Sequence, residues 1–380
     1  MAAGNFCDRI YMTFFAYVWR WGFLYLKSPS GLIVWNSNRS FPKLFGQQRK
    51  EPIMKSTLLP KLWLLIPSLL ILVMGGCAFV NVPLISPTKA LEEKVVDGEG
   101  RPKILLLDLT GVISEEQQRG HGFFDRPSMV DEFREELKKA ESDSRIGALI
   151  IRINSPGGTV TASDILHHEI LRYKKRTGKP VVACLMDVAA SGGYYVAMAA
   201  DEVIAHPTTI TGSIGVIAVK FNVQELFNKI GLGQETIKSG EMKDILSPFR
   251  PSTPEEKKIL QEIIDQLYGR FVDLVAAGRK DLDRAAVSKL ADGRIYTAQQ
   301  ALDHKLVDRI GYLDEAIEGV KSKLKVSEAS VVVYTRPGTY KGTVYSGLTG
   351  AGSPVFNLIS IDGANLLSSQ GVRFLYLWAP

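Results

Sequence analysis

The sequence predicts an α/β domain with a largely parallel sheet, preceded by one transmembrane helix. After residue 89, short apolar runs of strand length alternate with helical patterns, which is typical of parallel strands joined by crossover helices. Before that point lies an uncharged apolar stretch long enough to cross a bilayer. The chain has 380 residues, of which 46% are hydrophobic, so it can bury a sizeable core.

The transmembrane helix is predicted at residues 62–80, within a stretch that carries no charge as far as residue 88. Residues 1–61 contain nine Lys or Arg and two acidic residues. The positive-inside rule therefore predicts that they are cytoplasmic and that the rest of the chain is extracytoplasmic. Because the remainder is nearly neutral, with 37 basic and 38 acidic residues, the net charge of +6 does not indicate a nucleic-acid partner.

The same stretch has a second interpretation, in which translation starts at Met54. Lys61 and the apolar residues 62–74 would then form the basic and apolar regions of a signal peptide, and residues 1–53 would be an artefact of start-site choice. If residues 1–53 are made, their aromatic pattern is that of a segment lying on the membrane. Cys77 resembles a lipoprotein attachment site, but the residues before it depart from that pattern, so plain anchoring is favoured.

Four segments describe the predicted organisation. A basic cytoplasmic segment (1–61) and the transmembrane helix or signal anchor (62–80) precede the folded domain (90–345). An apolar tail (346–380) with only two charged residues ends in the sequence FLYLW at residues 374–378. A soluble monomer would not leave such a tail exposed, so we expect it to form a subunit contact.

Elements of the folded domain follow from periodicity and caps. Strands are predicted at 103–109, 147–153, 180–186, 202–205, 213–219 and 234–238. Helices are predicted from Ser128 to Ala140, from Thr161 or Ser163 to Arg176, after Thr253 with Pro254 and a capping-box Glu256, and after Thr297 with Gln300.

Several functional classes lack their defining residues. The three cysteines are widely spaced, which argues against a disulfide scaffold or a zinc ribbon. The sequence has no H-E-x-x-H, P-loop, G-x-G-x-x-G or G-x-S-x-G motif. The five histidines lie in polar or helical surroundings, so a Ser-His-Asp mechanism is disfavoured. We predict no metal and no cofactor.

Two glycine-rich corners remain as candidates for chemistry. Residues 154–158 (NSPGG) follow one predicted strand, and residues 189–195 (AASGGYY) follow the next. Glycine allows backbone N–H groups to turn toward a ligand, and ligands in such folds bind where strand carboxyl ends meet loops. Two such corners can build an oxyanion hole, although glycine content alone is more typical of tight turns.

Four motifs in order resemble bacterial signal peptide peptidase A. They are INSPGG at 153–158, ASGGYY at 190–195, TGSIGV at 211–216 and KSGEMKD at 238–244, the last followed by Ser247-Pro248. The match covers residues 103–319, and the single copy of each motif resembles the short members of the family. The resemblance implies a Clp/crotonase-like fold, a membrane anchor and a homo-oligomeric ring, octameric in the short forms. It also implies cleavage of signal peptides left in the membrane.

The resemblance assigns roles by position. Ser191 matches the nucleophile, Lys243 the general base and Ser213 the hydroxyl that holds the lysine. Gly158 and Gly192 match the oxyanion hole. These roles are chemically coherent, since a serine hydroxyl needs a base to remove its proton and Ser-Lys pairs are a known variant of the serine mechanism.

The leading hypothesis is therefore a membrane-anchored serine endopeptidase that degrades signal peptides and other short apolar peptides. Lys238 is the rival base, and Lys243 is preferred because it occupies the Lys-Asp position of the family. The alternative is a non-proteolytic crotonase-fold enzyme or a membrane-protein scaffold. An extracytoplasmic location disfavours the crotonase-type enzyme, because that compartment lacks coenzyme A.

Overall fold

The computed structural model describes residues 90–116, 127–337, 341–347 and 374–379, together with the backbone of four two-residue strands outside these ranges. The chain divides into two units, Met1–Asn81 and Val82–Pro380. The predicted transmembrane helix at 62–80 lies outside the described residues. No helix within the described ranges is long and apolar enough to cross a membrane.

Sixteen strands are present in the described part of the chain. They are β1 Lys27–Ser28, β2 Gly31–Leu32, β3 Glu92–Asp97, β4 Lys103–Thr110, β5 Gln118–Arg119, β6 Asp125–Arg126, β7 Ile146–Ser155, β8 Gly157–Thr159, β9 Val181–Ala190, β10 Glu202–Ala205, β11 Ile210–Gly212, β12 Ile217–Ala218, β13 Ile295–Thr297, β14 Arg309–Ile310, β15 Ser330–Thr335 and β16 Phe374–Leu377. In the first unit, β1 pairs antiparallel with β2.

The α-helices of the second unit are α1 Met129–Ser142, α2 Val160–Thr177, α3 Gly192–Ala197, α4 Gln224–Lys229, α5 Pro254–Gly278, α6 Arg284–Leu290, α7 Ala298–Asp303 and α8 Leu313–Leu324. A short 3-10 helix covers Glu241–Asp244.

The main sheet is largely parallel, which confirms the predicted α/β class. Its strands follow the order β13-β11-β9-β7-β4-β15-β3, and β10 pairs with both β9 and β14. Among the described strands of this sheet, only the edge strands β13 and β3 pair antiparallel to their neighbours. Because β7, β9 and β11 run in the same direction, their carboxyl ends and the loops that follow lie at one edge of the sheet.

Helices cover both faces of this sheet. Along β4, Leu105 and Leu107 join one apolar cluster, whose helical members come mainly from α1, α2, α3 and α5. The alternate residues Ile104 and Leu106 join a second cluster with α8. This two-sided burial explains why the central strands are nearly continuous apolar runs.

The predicted helix caps are mostly confirmed. Ser128 caps α1, and the capping boxes of Thr253 and Thr297 open α5 and α7. The start of α2 was predicted too late, because Thr159 is its N-cap and accepts a hydrogen bond from the Ala162 N–H. A Thr side chain immediately after the glycine corner therefore caps the helix.

Two predicted strands are wrong. Within 213–219 only Ile217–Ala218 is a strand, because Ser213 has a positive φ of 49° that breaks the extended backbone after β11. Residues 234–238 form no strand, and every one of them is exposed. Without a neighbouring strand, their alternating pattern has no sheet to join.

A small antiparallel sheet lies beside the main one, in the order β12-β16-β8. Its central strand, β16, belongs to the apolar tail that the sequence predicts as a subunit contact. The structure pairs this strand with residues of its own chain, in register Tyr376 with Gly158 and Leu375 with Ile217. A contact of the tail with a second subunit stays a prediction.

Candidate active site

Ser191 sits at a strained corner between strand and helix. β9 ends at Ala190 and α3 begins at Gly192, and between them Ser191 has φ 51° and ψ −114°. Its N–H donates to the Gly212 carbonyl at 2.8 Å, and its carbonyl accepts from Tyr195 at 2.8 Å. A positive φ at a residue with a side chain costs on the order of 1–3 kcal/mol and persists only where the surroundings impose it. The backbone therefore dictates where this hydroxyl points.

The Ser191 hydroxyl is buried and unpaired. The residue is 1% exposed, and within the described ranges its Oγ has no hydrogen-bond partner. Buried hydroxyls normally have a partner, and leaving one unpaired costs about 1–3 kcal/mol. An unpaired serine at a strained corner is thus available to an incoming base or carbonyl.

The glycine corner at β8 packs directly against this serine corner. A Cβ on Gly158 would lie 1.9 Å from the Ile113 carbonyl oxygen, and a Cβ on Gly192 would lie 3.1 Å from the Gly158 nitrogen. A Cβ on Gly157, whose φ is +105°, would lie 2.7 Å from the Gly192 nitrogen. Only glycine permits such close approach of the backbones. The structure thus brings the two predicted oxyanion donors together next to Ser191.

Ser213 lies at a third corner, which the two residues before it join to the serine corner by hydrogen bonds. Its N–H donates to the Arg294 carbonyl at 2.7 Å, and its own φ is positive. The preceding Gly212 accepts the Ser191 N–H, and Thr211 Oγ1 donates to the Ala189 carbonyl at 2.6 Å. Three of the four sequence motifs therefore converge at the carboxyl edge of the sheet.

Among the described residues, no hydrogen bond joins the fourth motif to the Ser191 hydroxyl. Lys243 lies on the exposed 3-10 helix, and its ammonium forms no hydrogen bond or ion pair with a described residue. Lys238 is different, because its Nζ donates to Asp244 at 2.7 Å and to the Glu241 carbonyl at 2.9 Å. Of the two candidate bases, only Lys243 has a side chain not already engaged by described neighbours.

The segment that carries Lys243 is tied to the start of α5 by charge. Arg250 donates to Asp244 at 2.8 Å and to Glu256 at 2.9 Å. The hydrogen bonds from Arg250, and then from Lys238, hold the pKa of Asp244 well below its usual range. Arg250 likewise lowers the pKa of Glu256 to about 2. Both carboxylates are therefore ionised at neutral pH, which keeps the segment attached to α5.

The chain between Ser213 and Lys243 exposes apolar side chains. Helix α4 has no buried residue, and Ile237 is 95% exposed. The other exposed apolar residues of this stretch, which we call the apolar segment 217–237, are Ile217, Val219, Phe221, Leu226, Ile230 and Leu232. Several exposed large apolar residues within one short stretch of chain are typical of an interaction surface.

The described histidines make contacts with residues other than the nucleophile. His167 packs its ring edge against Tyr195 at 5.5 Å between centroids, and burial lowers its pKa to about 4. His206 bonds with Thr208, and His304 packs against Tyr296. Among the described residues no histidine is bonded to Ser191, which is consistent with a mechanism that does not use histidine.

Comparisons with known proteins identify the family. The sequence profile of peptidase family S49 matches residues 173–327. A protein of Enterococcus faecium described as signal peptide peptidase SppA is 36% identical over 256 residues, which cover 67% of this chain and 73% of that protein. The chain belongs to peptidase family S49. This confirms the family that the four motifs predicted, and it makes the chain a serine protease by homology.

Other relatives extend this comparison. The chloroplastic serine protease SPPA of Arabidopsis thaliana is 35% identical over 257 residues, which cover 66% of this chain and 37% of that protein. Among solved structures, a ClpP1 variant from Listeria monocytogenes matches with 20% identity and a TM-score of 0.37, covering 56% of this chain and 94% of that one. The particular residues assigned to the S49 site stay predictions.

Sequence reasoning missed two features of this site. Ser163 of α2 lies against it, since a Cβ on Gly192 would meet the Ser163 Oγ at 2.5 Å. Strand β16 also passes along the glycine corner, with Tyr376 opposite Gly158. The aromatic FLYLW sequence could have suggested a strand, but nothing in it indicates which strands it would join.

Proposed function

We propose that this S49 protease is a membrane-anchored endopeptidase with Ser191 as nucleophile and Lys243 as general base. The observation that supports this most is the Ser191 hydroxyl, which is buried and unpaired at a strained corner next to the glycine backbones. A hydroxyl fixed in this way needs only a base and a peptide carbonyl to begin acyl transfer.

In the proposed mechanism, neutral Lys243 takes the proton from Ser191 as its Oγ attacks the peptide carbonyl. The N–H groups of Gly158 and Gly192 stabilise the negative charge that develops on the carbonyl oxygen. One such donor is typically worth about 2.7–4 kcal/mol in the transition state. The lysine then gives its proton to the leaving amine, and water attacks the acyl-enzyme by the same route. Ser213 orients the lysine throughout.

The base is proposed to act across a subunit interface. Lys243 is exposed and has no partner among the described residues, whereas the serine it would serve is buried. The apolar segment 217–237 lies between Ser213 and Lys243 in the sequence and would be covered by a second copy of the chain. An assembly, octameric by resemblance to the short family members, would bring Lys243 of one subunit to Ser191 of the next.

The proposed substrates are signal peptides that remain in the membrane after their release, and other short apolar peptides. Residues 62–80 would anchor the enzyme beside them, with the catalytic domain on the extracytoplasmic side. Family membership leaves the non-proteolytic alternative without support. No cofactor takes part in the proposed reaction.

The test uses the full chain purified in detergent. A released signal peptide is incubated with wild type, with Ser191→Ala and with Ser288→Ala, and products are followed by mass spectrometry. Ser288 is a matched control because it is a half-buried serine of α6 and, within the described ranges, its hydroxyl donates to the carbonyl of Arg284 in its own helix. We expect cleavage by wild type and the control and none by Ser191→Ala. Equal cleavage by all three proteins would refute the assignment.

A further inference from the structure

The 3-10 helix that carries Lys243 is not fixed by packing. It covers only the four residues Glu241–Asp244, and none of them is buried. A helix of this length is not stable by itself in water. Its place in the domain therefore depends on polar contacts, and the side chain of Asp244, next to Lys243, makes several of them.

Arg250 binds Asp244 through a bidentate contact. Its Nε donates to Asp244 Oδ2 and its Nη2 to Asp244 Oδ1, both at 2.8 Å. Nη2 also donates to the main-chain carbonyl of Asp244 at 3.2 Å. A guanidinium is planar and its donors are fixed relative to one another, so a bidentate contact fixes the direction of its partner as well as the distance. The contact reaches the backbone of the residue that follows Lys243.

The same guanidinium binds the start of α5. Nη1 donates to Glu256 Oε2 at 2.9 Å, and Nη2 forms an ion pair with Glu256 Oε1. Glu256 is 1% exposed and completes the capping box of α5 with Thr253. Farther along, α5 joins the apolar core through Phe271 and Val275. Arg250 therefore connects a short exposed helix to an element that the core fixes.

The backbone around Arg250 is also held in place. Lys220 Nζ donates to the Arg250 carbonyl and to Ser252 Oγ, each at 2.9 Å. Phe249 packs against Phe227 of α4 at 5.1 Å between ring centroids. These contacts lie on both sides of Arg250 in the sequence, so its side chain starts from a defined position.

Lys238 contacts the same carboxylate in a different way. Its Nζ donates to Asp244 Oδ1 at 2.7 Å. An ammonium on a flexible stem acts as a point charge and does not set the direction of its partner. Lys238 also belongs to the exposed residues 234–238, whereas the Arg250 contact leads to a buried carboxylate. Arg250 is therefore the residue that relates the 3-10 helix to α5.

We propose that Arg250 is a positioning residue for the general base: by binding Asp244 and Glu256 together, it sets where the Lys243 ammonium can reach. Arg250 acts only through Lys243 and does not touch the reacting atoms. The inference rests on the proposed function, since it presumes that Lys243 is the base. It applies whether Lys243 serves Ser191 of its own chain or of a neighbouring subunit, because all contacts of Arg250 described above lie within one chain.

The first experiment replaces Arg250 and Asp244 separately in the full chain in detergent. Arg250→Ala should lower kcat for a signal peptide by about 10²-fold, since a misplacement of about 1 Å can cost that much. KM should change less than about twofold, because substrate binding is not affected. Asp244→Asn should lower kcat by at least about tenfold, and it leaves the buried Glu256 paired with Arg250. Arg284→Ala is the matched control and should keep wild-type kinetics, because Arg284 forms an exposed ion pair with Asp273.

The second experiment is a double-mutant cycle that separates positioning from loss of structure. Its substrate is a peptide p-nitrophenyl ester, whose good leaving group makes slow cleavage without a general base measurable, and rates are corrected for the rate with Ser191→Ala. In the Lys243→Ala background, Arg250→Ala should change kcat by less than about threefold, because no base remains to be positioned. A purely structural defect would lower kcat in both backgrounds. Thermal melting of each variant reports on folding.

The outcomes separate this inference from the proposed function. An unchanged kcat in folded Arg250→Ala or Asp244→Asn overturns the positioning role and leaves Lys243 as the base. An equal loss of kcat from Arg250→Ala in both backgrounds also overturns it, since Arg250 would then support the structure alone. If cleavage by Lys243→Ala is too slow to measure, kcat of Asp244→Asn decides. Wild-type cleavage by Lys243→Ala overturns the base assignment and this inference together.

Discussion

Replacing Gly158 by alanine should disable the enzyme without unfolding it. The added Cβ would lie 1.9 Å from the Ile113 carbonyl oxygen and 2.6 Å from both the carbonyl carbon and the nitrogen of that residue. Since an ordinary contact begins at 3.4 Å, β8 must move by about 1.5 Å relative to Ile113. All three obstructing atoms belong to backbone, so no side-chain rotation relieves the overlap.

That displacement moves the Gly158 N–H away from the carbonyl oxygen it is proposed to stabilise. Losing one oxyanion donor typically costs a factor of about 10²–10³ in kcat, and a misplacement of about 1 Å can cost about 10². We therefore expect kcat to fall by about 10²–10³ and KM to change much less. Overpacking at this site should also lower the free energy of unfolding by about 1–3 kcal/mol.

The assay compares Gly158→Ala with Gly269→Ala, using steady-state cleavage of one apolar peptide and a thermal melt of each protein. Gly269 of α5 is the control because it lies outside segment 217–237 and a Cβ there would meet Arg284 Nη2 at 3.8 Å, an ordinary contact. We expect wild-type kinetics from the control. If folded Gly158→Ala keeps a kcat within tenfold of wild type, the Gly158 N–H is not an oxyanion donor.

Three further predictions address the base, the assembly and the response to acid. Lys243→Ala should abolish peptide cleavage. Lys238→Ala should reduce the cleavage rate less, because the Lys238 ammonium is already bonded to Asp244. If a peptide assay shows the reverse ranking, Lys238 is the base and Lys243 is not. Co-refolding Ser191→Ala with Lys243→Ala chains should restore part of the activity, and zero recovery in demonstrably mixed oligomers would mean that each chain builds its own site. Because Arg250 lowers the pKa of Glu256 from 4.5 to about 2, this pair stabilises the fold fully above about pH 4.5 and loses its effect as the pH falls toward 2. Glu256→Gln should therefore weaken the loss of melting temperature between pH 5 and pH 2, and an unchanged pH dependence would contradict that role.

Local features of the fold were readable from the sequence because their causes are local. Ser128, Thr253 and Thr297 cap helices through hydrogen bonds to residues three positions away. The sequence pattern that predicts each cap therefore contains both partners of the hydrogen bond. The strands at residues 103, 147, 181 and 202 are nearly continuous apolar runs because both faces of the sheet are covered. The failed strand at 213–219 has an equally local cause, the positive φ of Ser213, but residue type does not reveal it.

The motifs by themselves determined the family and the identity of the candidate nucleophile, Ser191, since each is a short run of neighbouring residues. Only the tertiary structure decided how these runs meet. It placed Gly158, Gly192 and Ser191 together because parallel strands end at one edge of the sheet, and it left Lys243 exposed, with no hydrogen bond to the described Ser191 hydroxyl. It also laid Tyr376 against Gly158 across 218 positions of chain. Which strands pair over such a distance depends on which sheet edges remain open after folding. A sequence pattern along the chain does not predict which edges those are.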